Sequence, residues 1–117
     1  MMHQQIDEVV RTWPGVEAGE HGRGGTEYRL GKREIGHQHD GLGVVDIPFP
    51  RKVRDEVVAA GLAEPHHVLP DSGWVSKWLR EPKDVEEAIQ LLRRSYELAL
   101  DQAARRAAMR GRAGRAA

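Results

Sequence analysis

Apolar positions along the chain follow two periods, and the switches between them divide it into eight elements. Residues 3–12 place Ile6, Val9 and Val10 at helical spacing, so a short helix opens the chain. "WPGVEAGEHGRGG", residues 13–25, is dense in glycine and reads as a loop. Strand-like runs follow at residues 26–31, 34–40 and 42–47, the last two joined by Asp40-Gly41 as a two-residue hairpin turn. "PFP" ends the third run, because proline donates nothing to a strand ladder. Residues 51–60 return to the helical period with Val53, Val57 and Ala60, and Gly61 stops them. "HHVL" and "WVSKWLR" read as a second hairpin about "PDSG", with Pro70 at the first bend position. The final helix is expected to begin at a capping box of Asp84 and Glu87. Its apolar stripe is Val85, Ile89, Leu92, Tyr96, Ala99, Leu100 and Ala103, which is core material.

The order α-β-β-β-α-β-β-α, with short turns between strands, predicts an α+β fold: an antiparallel sheet of about five strands with helices packed on one face. A chain of 117 residues suits one domain, placed at residues 1–104, followed by a basic tail at 105–117 expected as a frayed helix or disordered arm.

Charge sharpens that division. The net charge is zero, yet Arg105, Arg106, Arg110, Arg112 and Arg115 give the tail +5 and leave the remainder at −5. An acidic body is poorly suited to phosphate backbones, so nucleic-acid contact is expected only through those five arginines. The absence of cysteine excludes disulfides, thiol nucleophiles and Cys-ligated metals. No apolar run has the length of a membrane span and "MMHQQIDEVV" lacks the core of a signal peptide, which makes a cytoplasmic protein without membrane contact the default expectation.

Candidate chemistry lies in the two hairpins. About an Asp40-Gly41 turn, His39 faces Leu42, His37 faces Val44 and Ile35 faces Asp46, all six on one face, with Asp46 diagonally beside His37. Two histidines and a carboxylate form a known facial ligand set for non-haem iron, and such donors also suit zinc, so His37, His39 and Asp46 are the candidate metal ligands. About "PDSG", one face gathers His67, Leu69, Trp74, Ser76 and Trp78, and the other His66, Val68, Val75, Lys77 and Leu79. That register sends His66 and His67 to opposite faces, with His66 solvated beside Lys77. The candidate ligand-binding set is therefore His37, His39, Asp46, His67, Trp74, Ser76 and Trp78. The plainer reading is that the imidazoles and indoles are hydrogen-bonded structural side chains. Ser76 beside His67 lacks a nucleophile elbow and an oxyanion hole. "GRGG" lacks the Lys-Ser/Thr of a phosphate loop, and no flavin or nucleotide fingerprint is present.

The run "EIGHQHDGLGVVDIPFPRKVRDEVVAAGLAEPHHVLPDSGWVSKWL", with "DVEEAIQLLRRSYELAL" after it, resembles the small prokaryotic luciferase-domain family over residues 34–100. Lys77 stands where that family is expected to have an aromatic residue. A more distant likeness, through the Trp-Val strand and "SYEL" at 95–98, is to the MmcQ/YjbR-type proteins with a frataxin-like double-wing sheet. The luciferase resemblance implies oxidation of an organic substrate by oxygen but transfers no catalytic residue. The leading expectation is binding of a small molecule or divalent metal in a His/Trp-lined cleft on the helix-free side of the sheet. Its rivals are an oxygen-dependent metalloenzyme using the same histidines and a nucleic-acid or protein adaptor acting through the arginine tail.

Overall fold

The computed structural model describes residues 1–116, with side chains to residue 114. Its elements are α1 (Met2–Val10), β1 (Val16–Glu20), β2 (Thr26–Leu30), β3 (Arg33–His39), β4 (Val44–Pro48), α2 (Arg51–Ala59), β5 (Glu64–Pro65), β6 (Trp74–Trp78) and α3 (Lys83–Ala116). The strands form one open sheet in the order β1-β2-β3-β4-β6-β5, every pair antiparallel. This is the expected α+β architecture with six strands. No helix among the described residues is long and apolar enough to cross a membrane.

One sheet face carries the core. Tyr28, Val45, Ile47 and Val75 meet Leu91, Leu92, Tyr96 and Ala99 of α3, with Ile6 and Val10 of α1 closing the end. The buried stripe of α3 runs through Ala88, Leu91, Leu92, Ser95, Tyr96 and Ala99, whereas Leu100 and Ala103 are exposed. Tyr28 donates to Asp7 and Gln38 donates to the Tyr28 hydroxyl, so these two buried polar side chains are partnered within the core. The helix α3 continues through the segment read as a tail, and Arg105, Arg106, Arg110 and Arg112 lie on its exposed far end.

Several local expectations give way to tertiary constraints. Residues 16–20, read as loop, form β1, because pairing of Val16 with Leu30 and Glu20 with Thr26 completes an edge that its own weak alternation does not specify. The β3–β4 turn holds four residues, with Leu42 exposed and Gly43 at φ +69°, so His39 faces Val44 and His37 faces Asp46. That is a slip of two residues, which preserves the faces. The strand opposite β6 is Glu64–Pro65 and not "HHVL". The N–H groups of Val68 and Leu69 are held by His66 Nδ1 and that of His67 by Ser76 Oγ, so none is free for a ladder. Ser72 N–H to Leu69 O keeps Pro70 at the first bend, as expected. Asp84 lies inside α3 and accepts the N–H groups of Arg80 and Glu81, each at 2.8 Å. Glu87 does not reach back as a capping box; it accepts from the buried Lys77 at 2.6 Å.

A bulge in β3 sets the two faces. Tyr28 pairs with Gly36 and Arg29 with Glu34, leaving Ile35 without an opposite number. The extra residue takes Ile35 off the face of His37, where regular alternation about a two-residue turn puts it opposite Asp46, and into the core. It brings Glu34 onto that face instead, three positions from His37. Gly36 makes this possible, with φ +154° and with the place of a Cβ only 2.5 Å from Leu92 Cδ2 and 3.1 Å from Asp46 O. The change Gly36→Ala is therefore expected to destabilise the fold by about 1–3 kcal/mol. Urea unfolding checks this, and an unchanged midpoint would contradict the role given to the bulge.

Candidate metal centre

The helix-free face of the sheet is built around one carboxylate. Asp46 is fully buried, and its Oδ2 lies 3.3 Å from His37 Nε2, 3.4 Å from His39 Nε2, 3.3 Å from His66 Nε2 and 3.0 Å from His67 Nε2. His37 and His39 reach it because they alternate along β3 opposite β4. His66 and His67 reach it because the chain leaves the sheet after Pro65 and folds over the face. The two adjacent histidines thus act on the same oxygen, and His66 is buried, against the expectation that they diverge with His66 in solvent. Ser76 donates from Oγ to Asp46 Oδ1 at 2.8 Å and accepts the His67 N–H at 3.1 Å. Its hydroxyl proton is thereby committed to a carboxylate, and a triad with His67 as base is not formed.

Tautomers can be read from the outer partners. His37 Nδ1 is 2.6 Å from Glu34 Oε2, which accepts its proton and turns the bare Nε2 of the neutral ring toward Asp46. Two electron pairs facing each other at 3.3 Å require a cation between them, either a proton or a metal ion. His66 behaves differently. Its Nδ1 accepts from Val68 N–H at 3.1 Å and from Leu69 N–H at 2.9 Å, so the proton sits on Nε2 and is directed at Asp46. Two donor sets with metal-ligand proximity share Asp46: His37 with His39, and His66 with His67. The tautomer of His66 disfavours the second and leaves His67 as the natural addition to the first.

The electrostatics follow from this crowding. Burial opposes a charged His37, but the hydrogen bonds it donates to Asp46 and Glu34, and their negative charge, overcome it and raise its pKa to about 9. Burial would raise the pKa of Asp46, yet hydrogen bonds from His37, Ser76 and His67 hold its carboxyl well below the usual carboxylate range. His39 is lowered by burial and then by the neighbouring charge of His37. His66 is lowered by burial, against the attraction of Asp46.

A cleft of about 340 Å³ opens over the centre, lined by His21, Arg23, Glu34, Val68, Leu69 and Trp74 together with the inner histidines. Trp74 is a wall, its ring 5.1 Å from that of His37. Trp78 stands behind His67 at 5.7 Å, outside the cleft lining. The sequence-based candidate set missed six residues that the fold brings here: His21, Arg23, Glu34, His66, Val68 and Leu69. His21, from the turn between β1 and β2, stacks on His37 at 4.1 Å. The "GRGG" segment was its only signal, and Glu34 depends on a bulge that no local pattern announces.

The chain belongs to the luciferase-domain family: a family model described as Luciferase domain matches residues 32–95, more than half of it. The match spans β3 to the first turns of α3 and so includes Asp46 and its four surrounding histidines, while His21 and Arg23 precede it. No curated protein and no solved structure matches the chain, so the likeness to double-wing proteins gains no support.

A sign for the pH dependence follows. The folded pKa of His37, about 9, lies above the unfolded value of about 6.5. Its stabilisation of the metal-free protein is therefore complete below about pH 6.5 and lost as pH rises through 9, by at most about 1.4 kcal/mol per pH unit. Denaturant midpoints between pH 7 and 9.5 are expected to fall, and the fall should shrink in Asp46→Asn, where Glu34 alone still favours the charged ring. A flat profile in the parent protein would contradict the pairing.

Proposed function

We propose that the chain binds one divalent transition-metal ion through His37 Nε2, His39 Nε2 and Asp46 Oδ2, with His67 as a fourth donor, and presents it to a small ligand in the cleft above. One observation carries this reading. A single carboxylate oxygen faces four imidazole Nε2 atoms at 3.0–3.4 Å, more than its lone pairs can accept from, and the outer partner of His37 directs its Nε2, with a lone pair whenever the ring is neutral, at that oxygen. Donors held about 2.0–2.2 Å from one ion lie about 3.0–3.5 Å from each other, which the Asp46–histidine distances match, and the donor atoms of His37, His39 and Asp46 all lie within 4.8 Å of one another. Neutral imidazoles and one carboxylate fit zinc or iron(II), and the Glu34–His37 contact supplies the outer partner that such ligands ordinarily have.

A second reading builds on the first. Two histidines and a carboxylate leave coordination positions open toward the cleft, the arrangement used by non-haem iron for oxygen chemistry, and membership of the luciferase-domain family favours it. Oxygen uptake by the iron(II)-loaded protein with candidate organic substrates separates an enzyme from a binding protein.

Thermal unfolding tests the metal directly. A metal at a hundred times its dissociation constant adds about 2.7 kcal/mol, which raises the midpoint of a domain this size by several degrees. The double variant His37→Ala/His39→Ala should lose the shift, whereas His66→Gln should keep most of it. Because the metal displaces the proton of His37, apparent affinity should rise about tenfold per pH unit from pH 7 toward 9 and then level off. Absence of any shift with zinc, iron(II), cobalt(II), nickel and manganese would sink the proposal.

A further inference from the structure

We infer that the cleft takes a small organic monocarboxylate, bound by its carboxylate between the metal and Arg23 with its apolar body against Trp74, Val68 and Leu69; this rests on the metal reading above. The first argument is a charge count at the cleft. A divalent ion with Asp46, Glu34 as a carboxylate, neutral imidazole ligands and the Arg23 guanidinium leaves one positive charge without a counterion. A monoanion balances it, whereas a neutral ligand leaves it and a dianion overshoots.

The second argument is the placing of Arg23. It lines the cleft over the metal ligands, and among the described residues its guanidinium makes no ion pair. Elsewhere on this chain arginines are commonly paired: Arg11 with Asp7, Arg54 with Asp55, Arg93 with Glu97 and Arg94 with Glu56. A guanidinium is shaped to receive the two oxygens of a carboxylate. Its turn is fixed from below, because Gly25 packs so closely on β3 that a Cβ there would fall 1.8 Å from Gln38 O, at φ +90°. Arg23 N–H also donates to His21 Nδ1 at 3.2 Å, which leaves the His21 proton on Nε2 as a further donor to an anion.

The third argument is the opposite wall. Val68 and Leu69 are 59% and 54% exposed, and they lie beside Trp74 at the mouth of the same cleft. Their backbone is pinned by His66, so the two side chains are held outward. An apolar wall facing a cationic one selects a molecule with an apolar body and one charged end. The volume of about 340 Å³ limits it to a small molecule, such as a single ring or a short chain.

Cobalt(II) replaces the native metal for the test, since its visible absorption reports ligands entering its coordination sphere. The full chain is loaded with cobalt(II) and titrated with benzoate, and separately with benzamide as the neutral isostere. Benzoate is expected to change the spectrum saturably and benzamide to leave it unaltered over the same range. Arg23→Gln should weaken benzoate about tenfold while its cobalt(II) spectrum before titration stays that of the parent, which also shows that the variant is folded. Equal effects of benzoate and benzamide, or undiminished benzoate affinity in R23Q, would overturn the inference alone. A protein that forms no cobalt(II) spectrum would remove the metal reading, and this inference with it.

Discussion

A carboxylate with no exposure to water, surrounded by four imidazoles, is the constraint on which the sheet's open face depends. Burying an isolated carboxylate is prohibitive, so Asp46 is tolerable at the middle of β4 only because every neighbouring group supplies positive charge or a proton. The flanking strands deliver those groups: β3 brings two histidines, β6 brings Ser76, and the segment after β5 brings two more histidines. Removing the carboxylate would leave the imidazoles without their common partner, and removing the imidazoles would leave a buried charge. A cation at the centre resolves both demands at once.

The two faces of the sheet do opposite work with the same strands. Gly36, Gln38, Val45, Ile47, Val75 and Lys77 belong to the helix side, which α1 and α3 cover. The alternate residues, His37, His39, Asp46, Ser76 and Trp74, belong to the open side. Period-two alternation therefore separates stability from chemistry within single strands. The bulge at Ile35 is the one local break in that alternation, and it serves both faces by giving a side chain to the core and Glu34 to His37.

The region above the centre is assembled from two connections outside the sheet. The β1–β2 turn supplies His21 and Arg23, and the segment between β5 and β6 supplies His66, His67, Val68 and Leu69. Both are held by side chains acting on backbone: His21 Nδ1 receives Arg23 N–H, and His66 Nδ1 receives two N–H groups. In each, the same hydrogen bonds that shape the connection also fix a tautomer, so local folding and the protonation pattern of the site are one event.

The sequence by itself determined the class of fold, the sidedness of β4, β6 and the C-terminal half of β3, and the grouping of His37, His39 and Asp46, though it put Ile35 on their face. It could do so because alternation and turn residues are local, and because an error of two in register leaves every side chain on its face. Only the tertiary structure decided that His66 and His67 converge, that Glu34 sits beneath His37, and that β1 exists at all. The physical reason is common to the three. An irregular segment, a bulge and an edge strand are each fixed by contacts with residues distant in the chain: Asp46 for the histidines, β2 for the bulge and again β2 for the edge. No window of neighbouring residues contains them.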